Sequence, residues 1–296
     1  MRLFLVLILF VSSLASQADS SAISSTLEQS KQTIVWSIIP YAPIHILEGD
    51  YKGQGIVDEY IINAQNALPG YLHTNQIMTP ARTWYQMSKN EQLVCYPSAL
   101  KTTEREAFAY FTQPGLITPV LRVVMREDMW KKEFAGRDSI NIKEYIANNK
   151  KNFGVVSKRS YGEEIDHILS KVLRGENDII QTSGRYGSRQ LYQMLISERI
   201  DIMLEYPWVT AYFEKVLKND SIKVVHLMIE GLPKYTAAYV ACTRNDDGKK
   251  VIEALDEFLA KEVLNIENRQ RMMRWLGKKE AEAFEQDYLE YFNIEH

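Results

Sequence analysis

Ser98-Ala99-Leu100-Lys101-Thr102-Thr103-Glu104-Arg105-Glu106-Ala107-Phe108-Ala109-Tyr110-Phe111-Thr112-Gln113-Pro114 is the most informative run of residues in the chain. A strand-like run, Gln92 to Tyr96, ends just before it. A polar turn follows, and Thr103-Glu104-Arg105 opens a helix or turn. A helix N-terminus exposes unpaired N–H groups and favours anions. Arg105 adds a planar fork of donors that matches both oxygens of a carboxylate. The segment therefore reads as a corner that recognises an acid. The plainer alternative makes Arg105 a surface residue paired with Glu104 or Glu106.

Outward from this corner, strands and helices alternate. Upstream, Thr33 to Ile39 is a buried strand closed by Pro40-Tyr41-Ala42-Pro43. Ile56 to Leu68 has helical spacing, with Ile56, Tyr60, Ile61, Ala64 and Leu68 on one face. Tyr71 to Met78 is a second strand. Thr79 then caps a helix that has Pro80 at its first position. Downstream, Leu121 to Met125 is a strand, and the charged, helical stretch Glu127 to Lys150 follows. The alternation then restarts, with strands at Asn152–Ser157, Asp178–Gln181, Ile200–Leu204 and Lys223–Ile229. Helices at Tyr161–Leu173, Ser188–Ser197 and Tyr206–Leu217 lie between them. A strand at Ala237–Thr243 and two amphipathic helices, Val251–Leu264 and Glu267–Leu276, end the pattern. Such alternation predicts an α/β fold with parallel strand pairs. Two successive α/β regions suggest two lobes and a cleft, and ligands of such sheets sit at the carboxyl ends of strands.

The chain has 296 residues, 46% of them hydrophobic and 25% charged, with a net charge of −3. Disorder needs lower hydrophobicity and a larger net charge. A sequence pI near 6.0 argues against a basic nucleic-acid binder. Residues 1–18 read as a secretory signal. Arg2 precedes the apolar run Leu3 to Val11, which is too short to span a bilayer, and Ser16-Gln17-Ala18 offers a small-x-small cleavage site, with Ser13-Leu14-Ala15 competing. The Ser-rich residues 19–30 read as a flexible leader. The expected location is periplasmic. An oxidising compartment permits a disulfide between Cys95 and Cys242. Both lie in strand-like runs, however, and sequence alone does not bring their Cα atoms within bridging range, so the plainer expectation is two buried free thiols. The five histidines are scattered without metal-ligand spacing, and no cofactor or metal is implied.

From Thr33 to Leu276 the sequence resembles the family-3 extracellular solute-binding proteins, which have the type II periplasmic binding fold. The landmarks recur in order: Pro40-Tyr41 after the first strand, the turn Gly53-Gln54-Gly55-Ile56-Val57-Asp58, Thr102-Thr103-Glu104-Arg105 followed by Phe111-Thr112-Gln113-Pro114, and Leu195 to Glu205 in the second half. The resemblance implies a hinge between two lobes, placed here at residues 31–125 with 236–296 and at 126–235. It also implies roles. Arg105 would grip a ligand carboxylate, Glu205 would receive an α-ammonium, and Tyr41 would cover the ligand. Ser98 would complete the carboxylate site, and Ser160 and Tyr161 would face the cleft from the second lobe. Arg82, after Pro80, would add a second positive charge, unless it is a solvated helix residue. Trp84, Tyr206 and Trp208 are either cleft walls or core. The family usually has Asp where Glu205 stands, and Glu205 itself has a plainer reading as the cap of the helix that follows it.

No Gly-x-Ser-x-Gly, Walker or His-Glu-x-x-His motif is present. Asp166-His167 reads as a solvated helix face. The expectation is a periplasmic binding protein for a small carboxylate-bearing solute, an amino acid or a relative, delivered to an inner-membrane ABC permease. A membrane sensor is the alternative partner. A lyase or dehydratase on the same fold, with Glu205 as a general acid of raised pKa, is the alternative activity.

Overall fold

In the first lobe, β1 (Thr33–Ile38), β2 (Leu72–Ile77) and β3 (Val94–Ala99) alternate with α1 (Asp58–Asn66) and α2 (Pro80–Lys89). The short α3 (Thr103–Glu106), β4 (Ala109–Phe111) and β5 (Leu116–Pro119) follow. The computed structural model describes residues 31–148, 152–157, 159–172, 179–184, 186–218 and 221–295. The expected signal, 1–18, and leader, 19–30, lie outside the described residues. The chain then builds a second sheet from β6 (Arg122–Arg126), β7 (Ser139–Ile140), β8 (Phe153–Val156), β9 (Ile179–Thr182), β10 (Ile202–Glu205) and β11 (Val224–Ile229). Its helices are α4 (Glu127–Glu133), α5 (Ile142–Asn148), α6 (Glu163–Val172), α7 (Gly187–Ile196) and α8 (Pro207–Leu217). The chain returns to the first lobe through β12 (Tyr235–Thr243) and ends in α9 (Asp246–Glu262), α10 (Ile266–Met273) and α11 (Lys278–Tyr291).

The first sheet runs β2-β1-β3-β12-β4, with β5 also pairing to β12, and the second runs β7-β11-β6-β10-β8-β9. The crossover strands are parallel, as the alternation predicts: β1 with β2 and β3, and β8 with β9 and β10. The strands next to the lobe crossings are antiparallel, β12 to β3, β4 and β5, and β6 to β10 and β11. The sequence reading ends the first lobe at residue 125. The structure instead gives β6 to the second sheet, so the crossing falls at Val120–Leu121. All five residues of β6 are buried, and a strand buried on both faces carries no mark of which sheet it will join. The two crossings run side by side, with the Val120 N–H and Arg122 Nη2 both donating to Lys234 O at 3.3 Å.

Cys95 and Cys242 form a disulfide, with Cα atoms 4.1 Å apart. This corrects the expectation of free thiols. The two residues lie directly opposite in the antiparallel register of β3 and β12, where neighbouring strands bring Cα atoms within bridging range. Nothing local to either run reveals that pairing, because the partners are 147 residues apart.

One apolar cluster joins the first lobe to the α7–α8 side of the second, taking in Trp36, Trp275 and Phe284 together with Leu191, Trp208 and Phe213. A second cluster fills the other side of the second sheet around Val123, Phe153, Ile165 and Leu204.

The long loop from β1 to α1 carries Tyr41 and is held by Asp58, the first residue of α1. Asp58 Oδ2 accepts the N–H groups of Gly55 (2.8 Å) and Ile46 (3.1 Å), and Oδ1 lies 2.8 Å from His45 Nδ1. A carboxylate is favoured at a helix N-terminus, so the Gly53–Asp58 motif folds the loop onto its own helix. A Cβ on Gly55 would lie 2.5 Å from Ile44 O and 2.6 Å from Asp58 Oδ2. Gly55→Ala is accordingly expected to lower stability by about 1–3 kcal/mol, read as a fall in the urea midpoint at unchanged m-value.

Candidate functional site

Arg105 stands on α3, whose first turn is capped by Thr102: the Arg105 N–H donates to Thr102 Oγ1 at 3.3 Å. Its guanidinium lies over the face of Trp84 at 4.5 Å, and Nη1 donates to Leu100 O at 2.7 Å. Burial pulls its pKa down, and Tyr96 and Glu104 oppose the shift. Among the described ion pairs Arg105 has none, whereas Glu106 pairs with Lys101 at 2.9 Å. The alternative of a surface ion pair with Glu104 or Glu106 is not found among the described ion pairs. Around the guanidinium lies a half-buried aromatic floor in which Trp84 meets Tyr96 (5.4 Å), Phe108 (6.2 Å) and Phe111 (6.5 Å). Ser98 bonds to the Tyr96 hydroxyl.

Glu205 ends β10 and is 0% exposed. It does not await a ligand. Arg159 Nη1 donates to Oε2 and Nη2 to Oε1, both at 2.8 Å, in the two-pronged geometry that guanidinium and carboxylate favour. Oε1 also accepts from the Tyr41 hydroxyl at 2.9 Å and the Tyr206 N–H at 3.0 Å, and Ser188 bonds to the same carboxylate. A carboxylate offers about four lone-pair sites, so this one is full. The sequence reading of Glu205 as an open acceptor is thereby corrected. The capping alternative holds in part, through Tyr206, the N-cap of α8. Burial alone would raise the Glu205 pKa, but the Arg159 guanidinium and the bonds to it outweigh burial and hold the carboxyl below its ordinary range. Arg159 mirrors this, with burial working against its charge and Glu205 and Tyr41 raising its pKa well above the ordinary value.

Both terminal nitrogens of the arginine are engaged twice. Nη1 donates to Ser188 Oγ at 3.0 Å, Nη2 donates to the Tyr41 hydroxyl at 2.8 Å, and the guanidinium bonds to the Tyr206 side chain. Three tyrosine rings surround it, Tyr161 at 5.0 Å, Tyr41 at 5.3 Å and Tyr206 at 5.5 Å, positions at which an aromatic face attracts a cation. The Tyr41 hydroxyl accepts from Arg159 and donates to Glu205, so the first lobe's loop is hydrogen-bonded directly to the second lobe's ion pair. Burial leads the causes that push the Tyr41 pKa well above its usual value.

Arg159 is the functional residue the sequence reading missed. The signal lay three residues beyond β8: β8 and β10 are parallel neighbours in register Ile202↔Phe153 and Met203↔Gly154. Their carboxyl ends therefore emerge together, and a cation just after one strand meets the acid that ends the other. The remaining expected residues divide. Tyr161 is buried, and its hydroxyl accepts the Val156 N–H at 2.7 Å while its ring faces Arg159. Ser160 is exposed and donates to Asp166 Oδ2 at 2.5 Å; Asp166 Oδ1 accepts the Tyr161 N–H at 2.8 Å. Ser160 thus shapes the turn before α6 and does not face the cluster, and Asp166 anchors that turn, which corrects its reading as a solvated helix face. Arg82 is exposed on the first turn of α2, where its backbone N–H meets the Thr79 cap at 3.3 Å, as the solvated alternative has it. Trp208 is core, 4% exposed, stacked on Tyr206 (4.8 Å) and edge-on to Tyr41 (5.7 Å).

Burial raises the Tyr96 pKa, while a bond to Ser98 and the charge of Arg105 oppose the rise. A cavity of about 310 Å³ opens between the β1–α1 loop and α7–α8. It is walled by Tyr41, Ser188, Arg189, Tyr212 and Lys215, not by Arg105. The acid-recognition corner and this cavity are therefore different places, and each holds cations with no ion pair among the described ones, Arg105 in the corner and Arg189 and Lys215 in the cavity.

No protein-family model matches the sequence, and no curated protein matches it either. Solved structures do resemble it. An ancestral arginine-binding protein bound to arginine aligns with 15% identity over 83% of this chain and 99% of its own, at a TM-score of 0.58. A putative L-cystine ABC transporter protein from Listeria monocytogenes aligns with 19% identity over 84% and 97%, at 0.57. A histidine kinase sensor domain similar to periplasmic binding proteins aligns with 12% identity over 83% and 96%, also at 0.57. At such identities the likeness speaks for architecture alone, and that architecture is the two-lobed type II periplasmic-binding fold.

Proposed function

We propose that the protein is a periplasmic solute-binding protein that captures a small carboxylate-bearing solute between its lobes. The observation that carries this reading is Arg105, a half-buried guanidinium laid on an aromatic floor, with one described side-chain hydrogen bond, to a carbonyl, and no described ion pair. Such a group has donors left for both oxygens of an acid. Amino acids and their relatives are the compounds to test first. Delivery to an inner-membrane ABC permease is the destination we assign. A membrane sensor is the alternative partner, favoured by the likeness to a kinase sensor domain.

The lyase alternative fares worse. A general acid at neutral pH needs a raised pKa, whereas Arg159 holds Glu205 ionised. A thermal-shift screen of carboxylic acids against the purified protein tests the binding reading. A ligand at about 100 times its Kd should add about 2.7 kcal/mol of stability. Arg105→Ala is expected to weaken that ligand by about 10- to 100-fold, the worth of a hydrogen bond to a charged group. Unchanged affinity would remove Arg105 from the site.

A further inference from the structure

We infer that the protein's own side chains latch the two lobes together, so that the molecule rests with its lobes closed on one another and needs no solute to hold them there. Tyr41 is the centre of the latch. From the β1–α1 loop of the first lobe its hydroxyl accepts from Arg159 Nη2 at 2.8 Å and donates to Glu205 Oε1 at 2.9 Å, and its ring meets Trp208 of α8 edge-on at 5.7 Å. In the same loop, Glu48 Oε1 accepts from the hydroxyl of Tyr186, the N-cap of α7, at 3.0 Å. Further along α8, Lys215 Nζ donates to the carbonyl of Arg274, the C-cap of α10, at 2.6 Å, and Tyr212 meets the Trp275 ring at 5.4 Å. Glu280 Oε1, on α11, lies 3.4 Å from His226 Nδ1, on β11.

Parting the lobes is unfavourable for both the polar and the apolar members of this interface. Without the Tyr41 hydroxyl, Oε1 of a fully buried carboxylate loses a donor, and a buried acceptor stripped of its partner is costly. Trp208 and Trp275, 4% and 0% exposed, would lose cover. Both belong to the apolar cluster that crosses from one lobe to the other, and baring such surface to water opposes opening. A solute shifts a two-state equilibrium only by its differential affinity for the two states. Where side-chain contacts already favour the closed state, a solute changes that population little and enters through brief openings. The latch holds whatever the solute is, so it does not rest on the carboxylate reading.

Nitroxide labels on Tyr85→Cys in α2 and Lys171→Cys in α6, exposed positions on different lobes, report the separation by electron–electron double resonance. Cys95 and Cys242 are bonded to each other and buried, so the labels go to the new thiols. The protein is first unfolded in guanidinium with its disulfide intact and then refolded, which removes any bound solute. The expected result is one narrow distance distribution matching the closed arrangement. Tyr41→Phe/Tyr186→Phe, which keeps both rings and removes both hydroxyls, should raise the population of longer distances about tenfold, the worth of the lost hydrogen bonds. A broad, bimodal or longer distribution without the phenylalanine changes overturns the inference, and so does a phenylalanine variant whose distribution is unaltered. Should that variant fail to fold, the first distribution decides alone. A carboxylate from the thermal-shift screen that shortens the distance also overturns the latch, while leaving the proposed function in place.

Discussion

Arg159→Met is expected to lower the stability of the protein by about 3–5 kcal/mol, because it leaves an ionised carboxylate buried without its partner. Glu205 is fully enclosed, and the hydroxyl of Tyr41 and the N–H of Tyr206 do not replace a guanidinium. Glu205→Gln should cost a similar amount by stranding Arg159, whose side chain is 17% exposed. The double variant Arg159→Met/Glu205→Leu should lose much less than the sum, since removing both charges also removes their desolvation cost. Urea unfolding of these proteins, with Glu205→Leu as the second single variant, closes the cycle. A loss below about 1 kcal/mol for either single variant would place the pair among surface ion pairs.

The pH dependence has a definite sign. The Glu205 carboxyl is depressed in the folded state, so its contribution is complete above the unfolded carboxylate value of about 4.3 and disappears as the pH falls through the lower folded value. The pair therefore makes the wild-type protein sensitive to acid and indifferent to change near neutrality. In Arg159→Met burial, the largest single influence on Glu205, is opposed only by the remaining bonds from Ser188, Tyr206 and Tyr41, and the Glu205 pKa is expected to rise. The variant then loses stability as the pH rises above about 4.3, the opposite slope. Parallel slopes in the two proteins would show that Arg159 does not govern Glu205.

Opening the Cys95–Cys242 disulfide is the other change with a large expected effect. Its partners are 147 residues apart, and the closed loop contains every strand of the second lobe. Without the bond, β12 must find β3 after the whole second lobe has been made, and closing a loop of that length carries an entropy cost that the disulfide removes from the unfolded chain. Cys95→Ala/Cys242→Ala is expected to lose about 2–5 kcal/mol. The replacements are small, and both positions are fully buried, so part of the loss will come from the cavity. Comparing the double variant with the reduced wild-type protein separates the two contributions. Equal stability of reduced and oxidised wild type would show that the bond adds nothing to the fold.

Strand and helix positions were legible because each follows from a local cause. The run Thr33–Ile39 is apolar and bounded by Pro40, and Thr79-Pro80 caps a helix wherever it is placed. The Gly53–Asp58 turn folds through contacts between near neighbours. The two α/β regions, the parallel pairs and the position of Arg105 before a short helix were likewise written in sequence order.

Sequence did not carry the pairings made between distant segments. Cys95 meets Cys242 because β12 returns beside β3, and β6 joins the second sheet because β10 and β11 flank it. Glu205 meets Arg159 because two parallel strands end at one level. The chemistry of the cleft turned on that last pairing. An acid's meaning depends on whether a cation has already neutralised it, and the cation here arrives from 46 residues away along the chain. Local pattern fixes where a charge is placed, and only the packing of separate segments determines whether it is still free to act.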